Sequence, residues 1–229
     1  MVKSFWIASI ALLTTATLFN LLVAIGLPSL PALDVVRVHS SGTIPTDSQN
    51  GVPIKELRMG TWGICVYEAP NGHRICSPAH HAYIVPFFGP KNLEIVGKSW
   101  TRGLAVHPVA AGASFIALVL AAAFSTHVTA MLAASLTALL AALLTLIAFA
   151  IDIALFAFTH HQVGKVKDVH ANVDAGPGFW LTLVALILLF GAAATVIFGR
   201  RAENNTRYPS SGGGGKNPFS SLWARLTRY

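Results

Sequence analysis

The chain of 229 residues is 54% hydrophobic and only 11% charged, whereas soluble domains carry about 25% charged residues. This composition excludes an ordinary soluble domain and places most of the chain in lipid. The net charge of +7 does not indicate nucleic-acid binding, because six of the 16 basic residues lie in the last thirty residues, beside one acid. That distribution is typical of a cytosolic tail that faces anionic lipid.

Four segments are long and apolar enough to cross a hydrocarbon core of about 30 Å, which takes roughly 20 helical residues. They are Phe5–Leu27, Val109–Thr126, Met131–Phe158 and Phe179–Phe198. The first follows Lys3 as a secretory signal would, but its apolar run exceeds the usual signal core of ~7–15 residues. We therefore expect it to remain in place, and we predict an all-α membrane fold, a bundle of four transmembrane helices.

Charges at the span ends predict the orientation of this bundle. Arg200 and Arg201 directly follow the fourth span, which places the C-terminus in the cytosol by the positive-inside rule. An even number of spans puts the N-terminus on the same side and the long segment 28–108 outside the cell. We accordingly divide the chain into a transmembrane domain, residues 1–201, and a flexible basic cytosolic tail, residues 202–229.

Small side chains recur at one-turn intervals on two of the spans, and such residues let helices approach closely in lipid. They are Ala134, Ala138 and Ala142 on the third span, and Gly191, Thr195 and Gly199 on the fourth. We interpret both rows as helix-packing seams. The alternative is that alanine is merely abundant in these spans; a single bundle is expected either way.

Cys65 and Cys76 are the two cysteines of the chain, and both lie in the predicted outer loop. A thiol pair normally oxidises there, and closing so short a ring stabilises the fold by about 3 kcal/mol in the chain-entropy model. The turn-forming residues Pro70, Asn71 and Gly72 lie between them. We predict a small β-rich loop with a disulfide-closed hairpin. A metal site is the alternative, although two cysteines fall short of the usual four ligands.

The outer loop also carries a family signature. Gly60–Cys65 reads GTWGIC and precedes Cys76 and Ser77. This resembles the G-x-aromatic-G-x-C…C-S pattern in the first loop of the fungal, claudin-like Sur/PalI tetraspan proteins. The resemblance covers about Phe5 to Arg201.

A second stretch points to one branch of that family. Arg102–Gly112, which contains His107 and Pro108, resembles the segment that enters the second helix of PalI-type pH-response regulators. Independently of the family, Gly60 and Gly63 permit a tight turn beside the Trp62 ring, and proline suits the first turn of a helix. We therefore interpret these motif positions as structural rather than ligand-binding.

Nine histidines raise the question of a metal site or proton relay. Most lie in loops or at span ends, and none has an acidic residue at helical spacing within a span. We expect them to be solvated or interfacial, and we predict no metal site and no cofactor. The nine are His39, His73, His80, His81, His107, His127, His160, His161 and His170.

Asp152 is the one acid inside a predicted span, and an intramembrane acid is by default a functional candidate. It lies about 30 Å along the helix from Met131, close to the outer headgroups. One interpretation is an interfacial or hydrogen-bonded structural aspartate. The other is a polar site shared with His160 or His161, two turns further along the helix.

Motifs of catalysis are not found in the sequence: it has no glycine-rich phosphate loop, no nucleophile elbow and no HExxH. We therefore expect a protein that is not an enzyme. In the tail, the flexible run Gly212–Gly215 precedes Asn217, Pro218 and Phe219. This tripeptide resembles the NPF ligand of endocytic EH-domain adaptors; alternatively, Phe219–Tyr229 forms a basic amphipathic turn on the inner leaflet.

The resemblance implies a non-enzymatic plasma-membrane scaffold with cytosolic termini, which helps a membrane pH sensor to reach or stay at the cell surface. The alternative within the same fold is a Sur-type structural organiser of membrane domains and cell cortex. A channel or transporter is a third class, for which the spans offer few polar groups. The expected partners are membrane lipids, another membrane protein, a second copy of the chain and an endocytic adaptor; nucleic acid is not expected.

Overall fold

A computed structural model describes residues 2–44, 54–69, 71–88, 93–123, 128–165 and 171–207. Its helices are α1 (Val2–Ser29), α2 (Lys98–Arg102), α3 (Val106–Ala123), α4 (Val128–Lys165) and α5 (Pro177–Arg207), with one 3₁₀ turn at Gly103–Ala105. Its strands are β1 (Val36–Ile44), β2 (Ile54–Met59), β3 (Ile64–Glu68), β4 (Arg74–Cys76), β5 (Val85–Phe88), β6 (Leu93–Val96) and β7 (Ala171–Ala175). The predicted class, a four-helix membrane bundle with a small β-rich loop, is confirmed.

Within the described residues, four helical segments are long and apolar enough to cross a membrane: Trp6–Ser29, Lys98–Ala123, Ala133–Lys165 and Pro177–Thr195. The second begins before the predicted Val109, and the third continues past the predicted end at Phe158. Hydropathy marks where a helix leaves hydrocarbon, whereas the backbone hydrogen bonds continue beyond that point. The 38 residues of α4 span about 57 Å, well beyond a hydrocarbon core of about 30 Å.

Helix α5 extends beyond the fourth apolar span. Helix α5 continues to Arg207, past the expected end of the transmembrane domain at Arg201. Neither proline nor glycine interrupts residues 201–207, so the backbone hydrogen bonds of the helix can continue. The rest of the tail lies outside the described residues.

In the bundle, α1 contacts α3 and α5, and α4 contacts the same two helices. The centre consists largely of small side chains, which permits close approach: Ala16, Ala117, Ala138, Ala141, Ala142 and Ala192, with Leu13 and Leu189. Because Ala134, Ala138 and Ala142 are all buried, the packing seam predicted on the third span is confirmed. On α5, Gly191 faces Leu12, whereas the side of the helix at Gly199 is not described.

One antiparallel sheet of five strands, in the order β4-β3-β2-β1-β7, covers one end of the bundle. Strand β7 comes from the connection between α4 and α5, and it pairs with β1 from Val36↔Ala175 to Ser40↔Ala171. The sequence prediction placed β-structure in the first loop alone, so this pairing is a new finding. Strands β5 and β6 form a separate two-stranded sheet.

Helix α4 connects the helix bundle to the five-stranded sheet. Its end beyond Asp152 contributes Leu155 and Val163 to the same core as sheet residues such as Val36, Val38 and Leu57. The part of α4 that exceeds the bilayer thickness therefore supports the sheet. We call this end of the molecule the sheet side.

Candidate functional site at the junction of helices and sheet

The two cysteines form a disulfide. Cys65 on β3 lies directly opposite Cys76 on β4, with their Cα atoms 4.0 Å apart and Cys65 fully buried. Gly72 turns the hairpin with φ of 63°, a left-handed conformation that favours glycine. The predicted disulfide hairpin is thus confirmed, and the metal alternative for this pair is wrong.

The GTWG segment caps the sheet-side end of α1. The helix departs from helical geometry at Gly26, with φ of 31° and ψ of −157°, which leaves carbonyl groups without intrahelical donors. Thr61 Oγ1 donates to the Val23 oxygen at 2.7 Å, and Trp62 Nε1 donates to the Ala24 oxygen at 2.6 Å. The Trp62 amide donates to the Leu27 oxygen at 3.1 Å.

The other residues of the signature position this cap. A Cβ at Gly60 would collide with Leu27, and one at Gly63 would come within 2.6 Å of Ser77 Oγ. Ser77 exchanges two hydrogen bonds with Ile64: its Oγ accepts from the amide at 3.1 Å, and its own amide donates to the carbonyl at 2.9 Å. Each of these positions therefore has a structural task in the described residues.

Asp152 forms a buried pair with His107. The carboxylate Oδ1 lies 3.0 Å from His107 Nε2, and the two side chains are 0% and 2% exposed. Among the described atoms, Oδ2 of Asp152 has no hydrogen-bond partner. The pair joins α3 to α4 at the level where the sheet meets the bundle.

Of the two interpretations of Asp152, this geometry agrees with a hydrogen-bonded structural aspartate, because the side chain is fully buried and bonded to His107. Its partner is neither His160 nor His161, which are both exposed. Offsets of eight and nine residues also place those side chains about 12 Å or more further along α4. His107, which was expected to be solvated or interfacial, is buried. His127 and His170 lie outside the described residues.

Tyr83, which the sequence analysis missed, connects the cap to α2. Its hydroxyl donates to the Gly60 oxygen at 2.5 Å, and its backbone exchanges two hydrogen bonds with Thr101 Oγ1. Burial, and secondarily the negative charge of Asp152, raises the pKa of the Tyr83 phenol well above its ordinary value. Tyr83 is therefore a neutral hydrogen-bond donor at physiological pH.

An ion-pair network lies within the first loop. Arg37 binds the fully buried Asp34 through two hydrogen bonds of 2.8 and 2.9 Å. That hydrogen bonding raises the pKa of Arg37. Glu56 is 3.3 Å from Arg37 and 2.6 Å from Arg58, whose guanidinium lies 4.7 Å from the centre of the Tyr67 ring.

Two glycines let the second loop approach this network. The Gly178 amide donates to the Asp34 oxygen at 2.8 Å, and the Gly176 amide donates to the Val35 oxygen at 2.9 Å. A Cβ at either glycine would collide with the Asp34 carbonyl group. The motif Gly176-Pro177-Gly178 is the feature of the sequence from which this close approach could have been predicted.

Taken together, these side chains hold the two loops and four helices in one arrangement. In the part of the chain that the structure describes, no group of three or more His, Cys, Asp or Glu residues could hold a metal ion. The motif Asn217-Pro218-Phe219 lies outside the described residues, so its use stays a prediction.

The profile of the SUR7/PalI family matches residues 5–192, most of the chain, including the first three spans, most of the fourth and the disulfide. The chain belongs to the SUR7/PalI family. The suspected family is thereby confirmed, and the signature that caps α1 in this member acquires a structural explanation. A comparison with curated proteins gave no match. This SUR7/PalI protein is thus a multi-pass membrane protein with a disulfide-bonded sheet on one side.

Proposed function

We propose that this SUR7/PalI protein is a non-enzymatic scaffold of the plasma membrane, which binds another membrane protein and helps it to reach or remain at the cell surface. In the PalI-like form of this role, the partner is a sensor of ambient pH. The sheet side faces outward and both termini lie in the cytosol. The Cys65–Cys76 disulfide supports this orientation, because such bonds persist in oxidising compartments.

One observation carries the proposal: the sheet side exposes apolar side chains outside the membrane-spanning segments. Ile75, Ile84 and Ile95 are 52%, 47% and 44% exposed, and all three lie outside the membrane spans. Contiguous exposed apolar groups are typical of protein-binding sites, and we propose that these three form one such surface. Hydrogen bonds from the segments next to its strands connect the sheet to α1, α2 and α5.

The polar side chains at the junction support a scaffold rather than chemistry. Thr61, Trp62 and Tyr83 donate to backbone carbonyls, and Arg37 is paired with Asp34. Asp152 is enclosed and bonded to His107. These groups stabilise the fold, so a role that depends on surface shape fits them better than one that depends on a reactive centre.

The deciding experiment compares two triple variants in a deletion strain, at equal surface abundance. I75T/I84T/I95T removes the apolar groups and keeps β-branched side chains, whereas K55T/R74T/N172T changes exposed polar positions on the same layer. We expect the first to lose capture of the partner sensor and growth at alkaline pH, and the second to retain both. Equal behaviour of the two variants would contradict the proposal.

The same deletion strain separates the Sur-type alternative. Loss of surface delivery of the sensor together with an alkaline growth defect supports the PalI-like role. Altered cortical patches with normal alkaline growth would instead support a structural organiser of membrane domains.

A further inference from the structure

Helix α2 lies at the level of lipid headgroups on the sheet side. The 18 residues of α3 extend for about 27 Å, close to the hydrocarbon thickness of about 30 Å. The residues just before α3 therefore leave the hydrocarbon, and α2 precedes α3 by only one 3₁₀ turn. This depth follows from helix length and is independent of the proposed partner.

An aromatic stack holds α2 at this depth. The Trp100 ring stacks on Phe158 of α4, with ring centroids 4.3 Å apart and planes inclined by 15°. Trp100 remains 38% exposed, and half-exposed indole rings prefer the headgroup zone. On the inner side of α2, Thr101 is buried and bonded to Tyr83. The helix is thus fixed on two sides.

The remaining face of α2 is basic and polar. Lys98 and Arg102 are one turn apart, which places their side chains next to each other, and Ser99 lies beside them. All three are exposed. Among the described side chains, neither cation forms an ion pair. Two cations and a hydroxyl group make a suitable set of donors for a phosphate group.

We propose that Lys98, Ser99 and Arg102 bind the phosphate headgroup of an anionic phospholipid in the leaflet on the sheet side. A free phosphate ester offers the same chemistry, but the depth of α2 favours a lipid. Its acyl chains would lie along the exposed apolar face that begins at Val109, which is 57% exposed. Like-charged side chains one turn apart repel each other, and a bound phosphate relieves that repulsion.

The test measures lipid binding to the purified full-length protein in detergent by native mass spectrometry. Phosphatidylglycerol is the anionic probe, phosphatidylcholine is the neutral lipid, and glycerol 3-phosphate is the soluble phosphate. We expect phosphatidylglycerol to bind tightest, and K98Q/R102Q to weaken its binding at least about tenfold, since each cation near a membrane surface contributes independently. The single variants K98Q and R102Q should each weaken it about fivefold.

Two control variants distinguish a specific lipid site from a general effect of the protein's charge. K55Q/R74Q removes two exposed charges from the strands of the large sheet and should bind phosphatidylglycerol like the parent, as should the charge-conserving K98R/R102K. An equal loss of phosphatidylglycerol binding in K55Q/R74Q would contradict a specific site at α2. Equal binding of phosphatidylglycerol and phosphatidylcholine by the parent protein would contradict it too. Binding of glycerol 3-phosphate as tight as that of the lipid would overturn the assignment to a lipid.

Discussion

The indole Nε1 of Trp62 donates a hydrogen bond to the Ala24 carbonyl oxygen at 2.6 Å, so a side chain of the first loop caps the first transmembrane helix. An unbonded carbonyl at the edge of the hydrocarbon is costly, since little water reaches it. The bond explains why an aromatic residue with a donor stands between two glycines in this member of the family.

Trp62→Phe should destabilise the protein while keeping most of its apolar contact. The variant leaves the Ala24 oxygen without its donor, which costs about 1–3 kcal/mol. The measurement is thermal unfolding of the purified protein in detergent. Trp180→Phe is the matched control, because Trp180 is 56% exposed, and it should unfold like the parent. Parent-like unfolding of Trp62→Phe would refute the capping role.

Removing one member of the His107–Asp152 pair should destabilise the protein more than removing both. His107→Leu leaves a buried carboxyl group without its partner, which costs roughly 2 kcal/mol or more. His107→Leu with Asp152→Leu exchanges the pair for apolar packing and should recover much of that loss. The measurement is the free energy of unfolding of each single variant and of the double variant. Additive losses would show that the two side chains do not interact.

The charge of Asp152 should be dispensable for function. Asp152→Asn keeps an oxygen that can accept from His107, so a scaffold should still rescue a deletion strain at alkaline pH. Trp62→Ala should rescue less well at equal surface abundance, because it removes both the ring and the cap. Full rescue by Trp62→Ala with none by Asp152→Asn would instead indicate proton or ion chemistry in the bundle.

The orientation can be tested with acceptor sites for glycosylation. Asn204 begins a natural sequon, Asn204-Asn205-Thr206, which we place in the cytosol and expect to stay bare. His73→Ser completes a second sequon at the exposed Asn71 in the hairpin turn, and this one should receive a glycan. Mobility on gels before and after glycosidase treatment distinguishes the two. Glycan on Asn204 would invert the topology.

Tyr83 should make the protein sensitive to strongly alkaline pH. Because burial raises the pKa of its phenol, the unfolded chain releases this proton at a lower pH than the folded chain does. The contribution of Tyr83 to the free energy of unfolding is therefore fully present below about pH 10 and decreases as the pH rises further. Unfolding measured between roughly pH 9 and 11 should show a smaller loss for Tyr83→Phe than for the parent. Tyr67→Phe, at a partly exposed tyrosine, should lose stability as the parent does.

Much of the fold could be predicted from local patterns. Hydropathy over about 20 residues identified the spans, and the two cysteines with a turn between them identified the hairpin. The His107–Asp152 contact could not be predicted, since 45 residues separate its members and each lies in an otherwise apolar helix. Nor could the role of Tyr83 be predicted, because its three hydrogen bonds go to residues on other elements that no short pattern connects to it.

Strand β7 has a consequence for biosynthesis. It covers the edge of β1, yet it emerges from the ribosome more than a hundred residues later, after α3 and α4. Until then β1 presents unpaired amide and carbonyl groups, which readily pair with strands of other chains. A fragment that ends before Ala171 would keep that edge open, so truncated products should aggregate on the sheet side even though their first three helices can insert.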